Sequence, residues 1–280
     1  MSRDRFDDDD RDDRRRRDRD DDDDDRPRRR SRGRYDDDYD RPRKTGSNTL
    51  LIVVCVVGGI IVLGGIAAAL LLPAVSKVRE AAARTKSTNN MKQIAIGMLN
   101  HNDARNALPA AAICDKDGKP LLSWRVAILP YIEQQALYQQ FKLDEPWDSP
   151  NNKPLLQLMP KTYQNPKSPS DSYTHYRVFH GKGTAFEGTK GLSLPRDFTD
   201  GVSNTLLVIE ADEAVPWTKP EELEYSSERP LPPLGGIWSS KVCLVAMGDG
   251  SVKSILAEGN ERNIRAAISR NGNDFPDPGW

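Results

Sequence analysis

"LLLPAVSKVREAAARTKSTNNMKQIAIGML", residues 70–99, starts as apolar as a membrane span and ends as an amphipathic helix, with Pro73 between the two. The apolar positions Met91, Ile94, Ala95, Met98 and Leu99 step by three, one, three and one, so they form one helical stripe. Such a stripe needs a surface to cover it. Upstream, Thr45–Ser76 contains no charged residue, and Leu50–Leu72 is long enough to cross roughly 30 Å of hydrocarbon. A cleaved signal sequence has a shorter apolar run, nearer the N-terminus. The expectation is an uncleaved single-pass anchor whose helix continues into a head domain as its spine. Pro73 removes one backbone hydrogen bond and should kink the helix rather than end it. Thr85–Asn90, "TKSTNN", is polar all round and poor in helix formers, so it is the weak point of the spine, where the helix could melt locally.

Charge is unevenly spread. Residues 1–48 hold 18 Asp against 16 Arg and one Lys, with almost no aliphatic side chains. Such a segment cannot bury enough apolar surface to offset its ordering entropy and reads as a disordered polyampholyte. It serves as a solvated spacer or as a docking tail for charged partners. The basic cluster near Arg28–Arg34 could touch RNA or lipid, but interleaved Asp repels phosphate, so no nucleic-acid partner is expected. The remainder balances 24 basic residues against 24 acidic ones. Residues 29–48 carry seven Lys or Arg and residues 73–92 carry five, which favours a cytoplasmic N-terminus and a periplasmic head in a bacterial inner membrane. The domain reading is therefore a 1–48 tail, a 49–73 span, and a 74–280 head that includes a helical spine over 74–102.

Beyond Leu108 the patterning predicts an α+β domain. Ser123 can N-cap a helix starting "WRVAIL" (Trp124, Arg125), with Pro130 opening a further turn through "YIEQQALYQQF". "PNNKPLLQLM" reads as a shorter helix. "SYTHYRVF" alternates like a strand, and "NTLLVIEA" reads as a buried one. "KVCLVAM" and "SVKSIL" flank Gly248-Asp249-Gly250 as a hairpin, and "ERNIRAAISRNG" closes as a helix stopped by Asn271-Gly272. Strands and helices are segregated rather than alternating, which argues against a doubly wound parallel sheet.

No nucleophile elbow, P-loop, dinucleotide fingerprint or zinc pattern is present, so neither catalytic activity nor a cofactor is expected. "DKDGK" (Asp115, Asp117, Gly118) lacks the later ligands of a calcium loop and reads as a turn. "DGVSN" (Asp200, Gly201, Ser203, Asn204) offers oxygens to a cation or sugar, or else forms an Asx-type turn feeding a strand. His175 and His180 fall on opposite faces of a strand and make no ligand pair. Cys114 and Cys243 could pair in an oxidising compartment. Trp124, Tyr131, Trp147 and Tyr163 read as core or interface aromatics. The Pro- and Glu-rich stretch 216–236 reads as a long surface loop and the place for protein-specific binding.

The blocks "LLLPAVSKVREAAA…STNNMKQI", "LSWRVAILPYIEQQALYQQFKLDEPWDSPNNKPLL", "DGVSNTLLVIEA" and "VAMGDGSVKSI" resemble, in this order over about residues 66–280, bacterial prepilin-like proteins grouped as domain of unknown function 1559. The resemblance implies a type IV pilin-like or pseudopilin-like plan: a long N-terminal helix packed on a mainly antiparallel sheet, with the head exported across the inner membrane. The residues that carry it include Pro73, Asp200, Gly201, Asn204, Asp249 and Gly250. Three features depart from the family. No short basic leader with a Gly-Phe-Thr-Leu-Ile-Glu type processing site precedes the span, no glutamate lies early within it, and Ser239 stands where the C-terminal Asp-Gly signature has His. The functional expectation is a non-catalytic structural or assembly protein of the cell envelope, with the bilayer and envelope or secretion-system proteins as partners. The alternative is a membrane-tethered binding module for a glycan or solute.

Overall fold

The computed structural model describes residues 48–238 and 240–280, so the tail expected over residues 1–48 lies outside the described residues up to residue 47. In chain order the elements are α1 (Asn48–Arg105), β1 (Ala112–Cys114), β2 (Pro120–Ser123), α2 (Trp124–Ala127), α3 (Gln135–Tyr138), β3 (Tyr173–Arg177), β4 (Phe179–His180), β5 (Leu206–Pro216), β6 (Leu223–Glu224), β7 (Val242–Met247), β8 (Val252–Leu256) and α4 (Glu261–Ile268).

The 58-residue α1 is long and apolar enough at its N-terminal end to cross a membrane, by length and composition. Residues 48–72 are exposed throughout. Helix is assigned straight through Pro73, as expected of a proline that does not end it. From Ile60 onward the chain forms one compact unit.

No melt occurs at Thr85–Asn90, which is helical throughout. Two hydroxyls turn back on the helix itself: Thr85 Oγ1 donates to the Ala81 carbonyl and Thr88 Oγ1 to that of Arg84, each at 3.0 Å. Two more polar side chains, Ser87 and Asn90, are buried and find partners in the head. Tertiary hydrogen bonding overrides weak intrinsic propensity here.

Four antiparallel strands in the order β3-β5-β7-β8 form the central sheet. Its two faces feed two cores. Met91, Ile94, Ala95 and Met98 share one cluster with Tyr176, Leu207, Val208, Leu244 and Ala246. Leu206, Ile209, Cys243, Val245 and Ile255 share the other with Ile264, Ala267 and Ile268 of α4. Neighbouring Leu207 and Val208 face the same side because the register shifts between Leu206 and Val208. Each fully buried aliphatic side chain of the α1 stripe contributes about 1.5–3 kcal/mol. Leu99 departs from expectation: it is only half-buried, at the margin of the stripe.

Other expectations need correction. The "WRVAIL" helix is the four-residue α2, and "YIEQQALYQQF" splits into a 3-10 turn (Leu129–Ile132) and the single turn α3. Glu133 at φ 63° breaks the two apart. "PNNKPLLQLM" forms a 3-10 helix over Lys153–Leu158. The closing helix ends at Ile268, before Asn271-Gly272, because Ser269 turns extended. Cys114 and Cys243 are both free thiols. Cys243 belongs to the α4-side core, where burial pushes its pKa up to about 12. The stretch 216–236 is not a loose loop: Trp217 and Thr218 are buried and Leu223 lies in β6, which pairs with β4.

Candidate functional site

The α1 stripe continues one turn toward the N-terminus as Ser87, four residues before Met91, and this turn meets the sheet through polar groups. Ser87 Oγ donates to Glu210 Oε1 of β5, and the Tyr176 phenol of β3 lies 2.6 Å from the same hydroxyl. Because the Ser87 proton goes to the carboxylate, Tyr176 is the donor to Ser87. Asn165 Nδ2 donates to Glu210 Oε1 at 2.8 Å, Trp238 Nε1 to Oε2 at 2.6 Å, and the Leu244 amide to Oε2 at 3.1 Å. Burial pushes the Glu210 pKa up, opposed by these donors, and burial beside Glu210 likewise raises that of the Tyr176 phenol. On the rim, the Arg84 guanidinium lies over the Trp238 ring at 5.4 Å and donates to Ser240 Oγ at 2.7 Å.

Tyr176 also joins this seam to a second buried network. Its carbonyl accepts from Arg125 Nε at 3.0 Å and Nη2 at 2.5 Å. Arg125, with no exposed side-chain surface, pairs with Glu222 at 2.7 Å. Ser123 caps α2 by accepting from the Arg125 amide, and its hydroxyl also accepts from Arg125 Nη1 at 2.6 Å. Glu222 Oε2 takes the Val178 amide at 3.0 Å, and the guanidinium lies 4.7 Å from the Trp124 ring centroid. This pairing is why 216–236 is drawn inward: a buried guanidinium needs its countercharge.

Two of the sequence motifs meet at one end of the sheet. Asp200 N donates to the Arg270 carbonyl, and its carboxylate accepts the Gly272 and Asn273 amides at 2.7 and 3.0 Å, clamping the C-terminal segment. Asn204 Nδ2 donates to the Asp200 carbonyl, and Gly201 takes φ 91°. "DGVSN" is therefore a turn closed by its own backbone and by Asn204, not an Asx-type turn, and the Asp200 carboxylate is occupied by distant backbone amides. Asp249 accepts the Ser251 amide at 2.9 Å while Gly250 takes φ 82°. The Gly248 amide donates to the Thr205 carbonyl, docking one turn on the other. A Cβ on Gly250 would lie 3.3 Å from Leu99 Cδ1, so α1 passes this junction. Asp115 likewise closes its own turn by accepting the Asp117 and Lys119 amides. His175 is buried with Nδ1 donating to the Ala211 carbonyl, whereas His180 lies on a different strand, β4. Among the described residues no group of three or more His, Cys, Asp or Glu is placed to hold a metal ion. Trp124 and Tyr163 are fully buried; Tyr131 and Trp147 are partly exposed.

Sequence reasoning found Ser123, Trp124 and Arg125, and the apolar stripe. It missed Ser87, Glu210, Glu222 and Trp238. Two signals were available: Ser87 lies in phase with Met91, Ile94 and Met98, and Glu210 interrupts a buried apolar strand.

Residues 76–195 match the family described as protein of unknown function (DUF1559), the family that the sequence blocks resemble. The matched segment contains the spine, Ser123–Arg125 and Asn165, whereas Glu210 and Glu222 lie beyond it. Ser239, standing where the family signature has His, is outside the described residues. Comparison with curated proteins and with solved structures gives no match.

Proposed function

We propose that the protein is a membrane-anchored, non-catalytic structural or assembly component of the bacterial cell envelope, pseudopilin-like in plan, with a cytoplasmic N-terminus and a periplasmic head. One observation carries the reading: a single helix runs from a fully exposed apolar stretch, residues 48–72, into a core where Met91, Ile94 and Met98 are completely buried. An exposed apolar run of that length calls for a hydrocarbon environment, and the same helix fixes the head to it. The buried carboxylates Glu210, Glu222 and Asp200 are each held on both oxygens by protein donors, which supports a positioning role for each rather than chemistry.

Protease added to spheroplasts should digest the head and spare the N-terminal tail; digestion of the tail with an intact head would overturn the topology. N-terminal mass analysis of protein from cells addresses assembly. A shortened, N-methylated chain supports incorporation into a filament, and an intact tail argues for an anchored protein that does not polymerise. The second reading, a tethered binding module, is favoured by a cleft along α1 lined by His101, Arg105 and Tyr131.

A further inference from the structure

The C-terminal half of α1 and the segment 127–143 border two adjoining surface hollows that share Tyr131. One, of about 550 Å³, is lined by His101, Arg105, Tyr131, Gln135 and Tyr138 among others. Its neighbour, of about 380 Å³, is lined by Gln93, Asn100, Glu133, Gln134 and Thr162 beside Tyr131. Both volumes fall in the range of small-ligand sites.

The cleft is built into the fold. Gly97 separates the helix residues of the two hollows, and a Cβ there would come 2.6 Å from Ile132 Cγ2. Glycine here lets the Ile132 side chain seat directly against the helix. Glu133, lining the second hollow, holds φ 63°, a left-handed conformation uncommon for a residue with a side chain. The His101 and Tyr131 rings meet edge to face at 5.3 Å, and Arg105 lines the same hollow beside them. His101 Nδ1 donates to the Ala107 carbonyl at 2.8 Å, which leaves Nε2 as the ring's acceptor in the neutral form.

The lining chemistry selects a ligand class. Both hollows are half-open and rich in amides and phenols, unlike the mostly apolar, enclosed sites of drug-like molecules. Carboxamides donate and accept side by side, as a row of sugar hydroxyls requires, and tyrosine rings offer apolar faces for pyranose C–H surfaces. Charge sets the polarity. Arg105 is the cation of the first hollow and Glu133 the anion of the second. A carboxylate is attracted to one end and repelled from the other.

We infer that this cleft binds an acidic oligosaccharide, with a uronic-acid-type residue beside Arg105 and a neutral residue beside Gln93, Asn100 and Gln134. The inference does not depend on the anchoring reading, since every residue involved lies in the compact unit that starts at Ile60.

The test is isothermal titration of the full-length chain, held in a zwitterionic detergent free of sugar headgroups, with trigalacturonate and with neutral galactotriose. Saturable binding of trigalacturonate is expected, with the neutral trisaccharide weaker by about tenfold, the worth of one charge-assisted contact. Arg105→Gln should abolish that preference. Tyr131→Ala should weaken both sugars, and Lys92→Ala, at an exposed position outside the lining, should change neither. Arg105 is exposed, so its variant tests the inference even if loss of the half-buried Tyr131 perturbs folding. Absence of saturable binding, equal affinity for the two sugars, or an unaltered preference in Arg105→Gln would overturn it. So would displacement of trigalacturonate by an acidic tripeptide at equal concentration, which would mark the cleft as a peptide site.

Discussion

Ser87 of α1 donates its hydroxyl proton to the Glu210 carboxylate at the centre of the sheet, so the weakest helical stretch of the sequence is also its most specific attachment. Replacing Ser87 by Ala removes a donor from a buried carboxylate and the acceptor of Tyr176. That should cost about 1–3 kcal/mol, the usual penalty for leaving buried polar groups unpaired. Glu210→Ala should cost more, because Asn165, Trp238 and the Leu244 amide lose their acceptor together. Lys86→Ala, one residue away and exposed, should stay within roughly 0.5 kcal/mol. Denaturant melts of a chain beginning at Val75 measure all three. A Ser87→Ala melt indistinguishable from that of Lys86→Ala would show that the seam does not hold the helix.

Arg125 and Glu222 form the buried ion pair beside that seam. Removing either partner alone strands a buried charge, so Glu222→Ala and Arg125→Met should each cost about 3–5 kcal/mol. The double variant should cost clearly less than the two single losses combined, and a double-mutant cycle reads the difference. Additive losses would mean that the pair is not coupled.

The apolar stripe is unequal in depth. Ile94→Ala should cost about 2–5 kcal/mol, as fully buried large-to-small changes do. The half-buried Leu99 should cost less when cut to Ala, and the exposed Lys92 should tolerate Ala within roughly 0.5 kcal/mol. The same melts rank the three. Equal losses at Ile94 and Leu99 would contradict the observed edge of the stripe.

His101 carries a pH signature. Burial lowers its pKa below the ordinary value near 6.5, opposed by the Ala107 carbonyl and aided by Arg105. The unfolded chain therefore takes up a proton at a higher pH than the folded one. Stability should fall as pH drops below 6.5 and level off once the folded imidazole titrates. His101→Gln should flatten that slope. NMR titration of the folded protein should place the His101 midpoint below 6.5, and a midpoint at or above it would contradict the burial argument.

The sequence displayed its periodic features and hid its polar ones. The 3-1-3-1 stripe, the Ser123 cap and the Gly248–Gly250 hairpin all rest on spacing within a few residues, which local physics determines. The helix through Thr85–Asn90 rests on partners far along the chain, so propensity alone pointed the wrong way there. Glu222 looks like part of a surface loop for the same reason: its partner Arg125 is 97 residues away. The cleft beside Tyr131 depends on Gly97, whose meaning appears only when Ile132 is brought against it.

Whether anchor and spine are one helix is measured most directly by amide hydrogen exchange on the full chain in lipid nanodiscs. The account predicts one protected segment from Leu50 through Leu99, with Thr85–Asn90 exchanging as slowly as Met91–Leu99, and with protection of that stretch lost in Ser87→Ala. Rapid exchange at Thr85–Asn90 between two protected flanks would contradict it, leaving a membrane anchor and a head helix joined by a melted hinge.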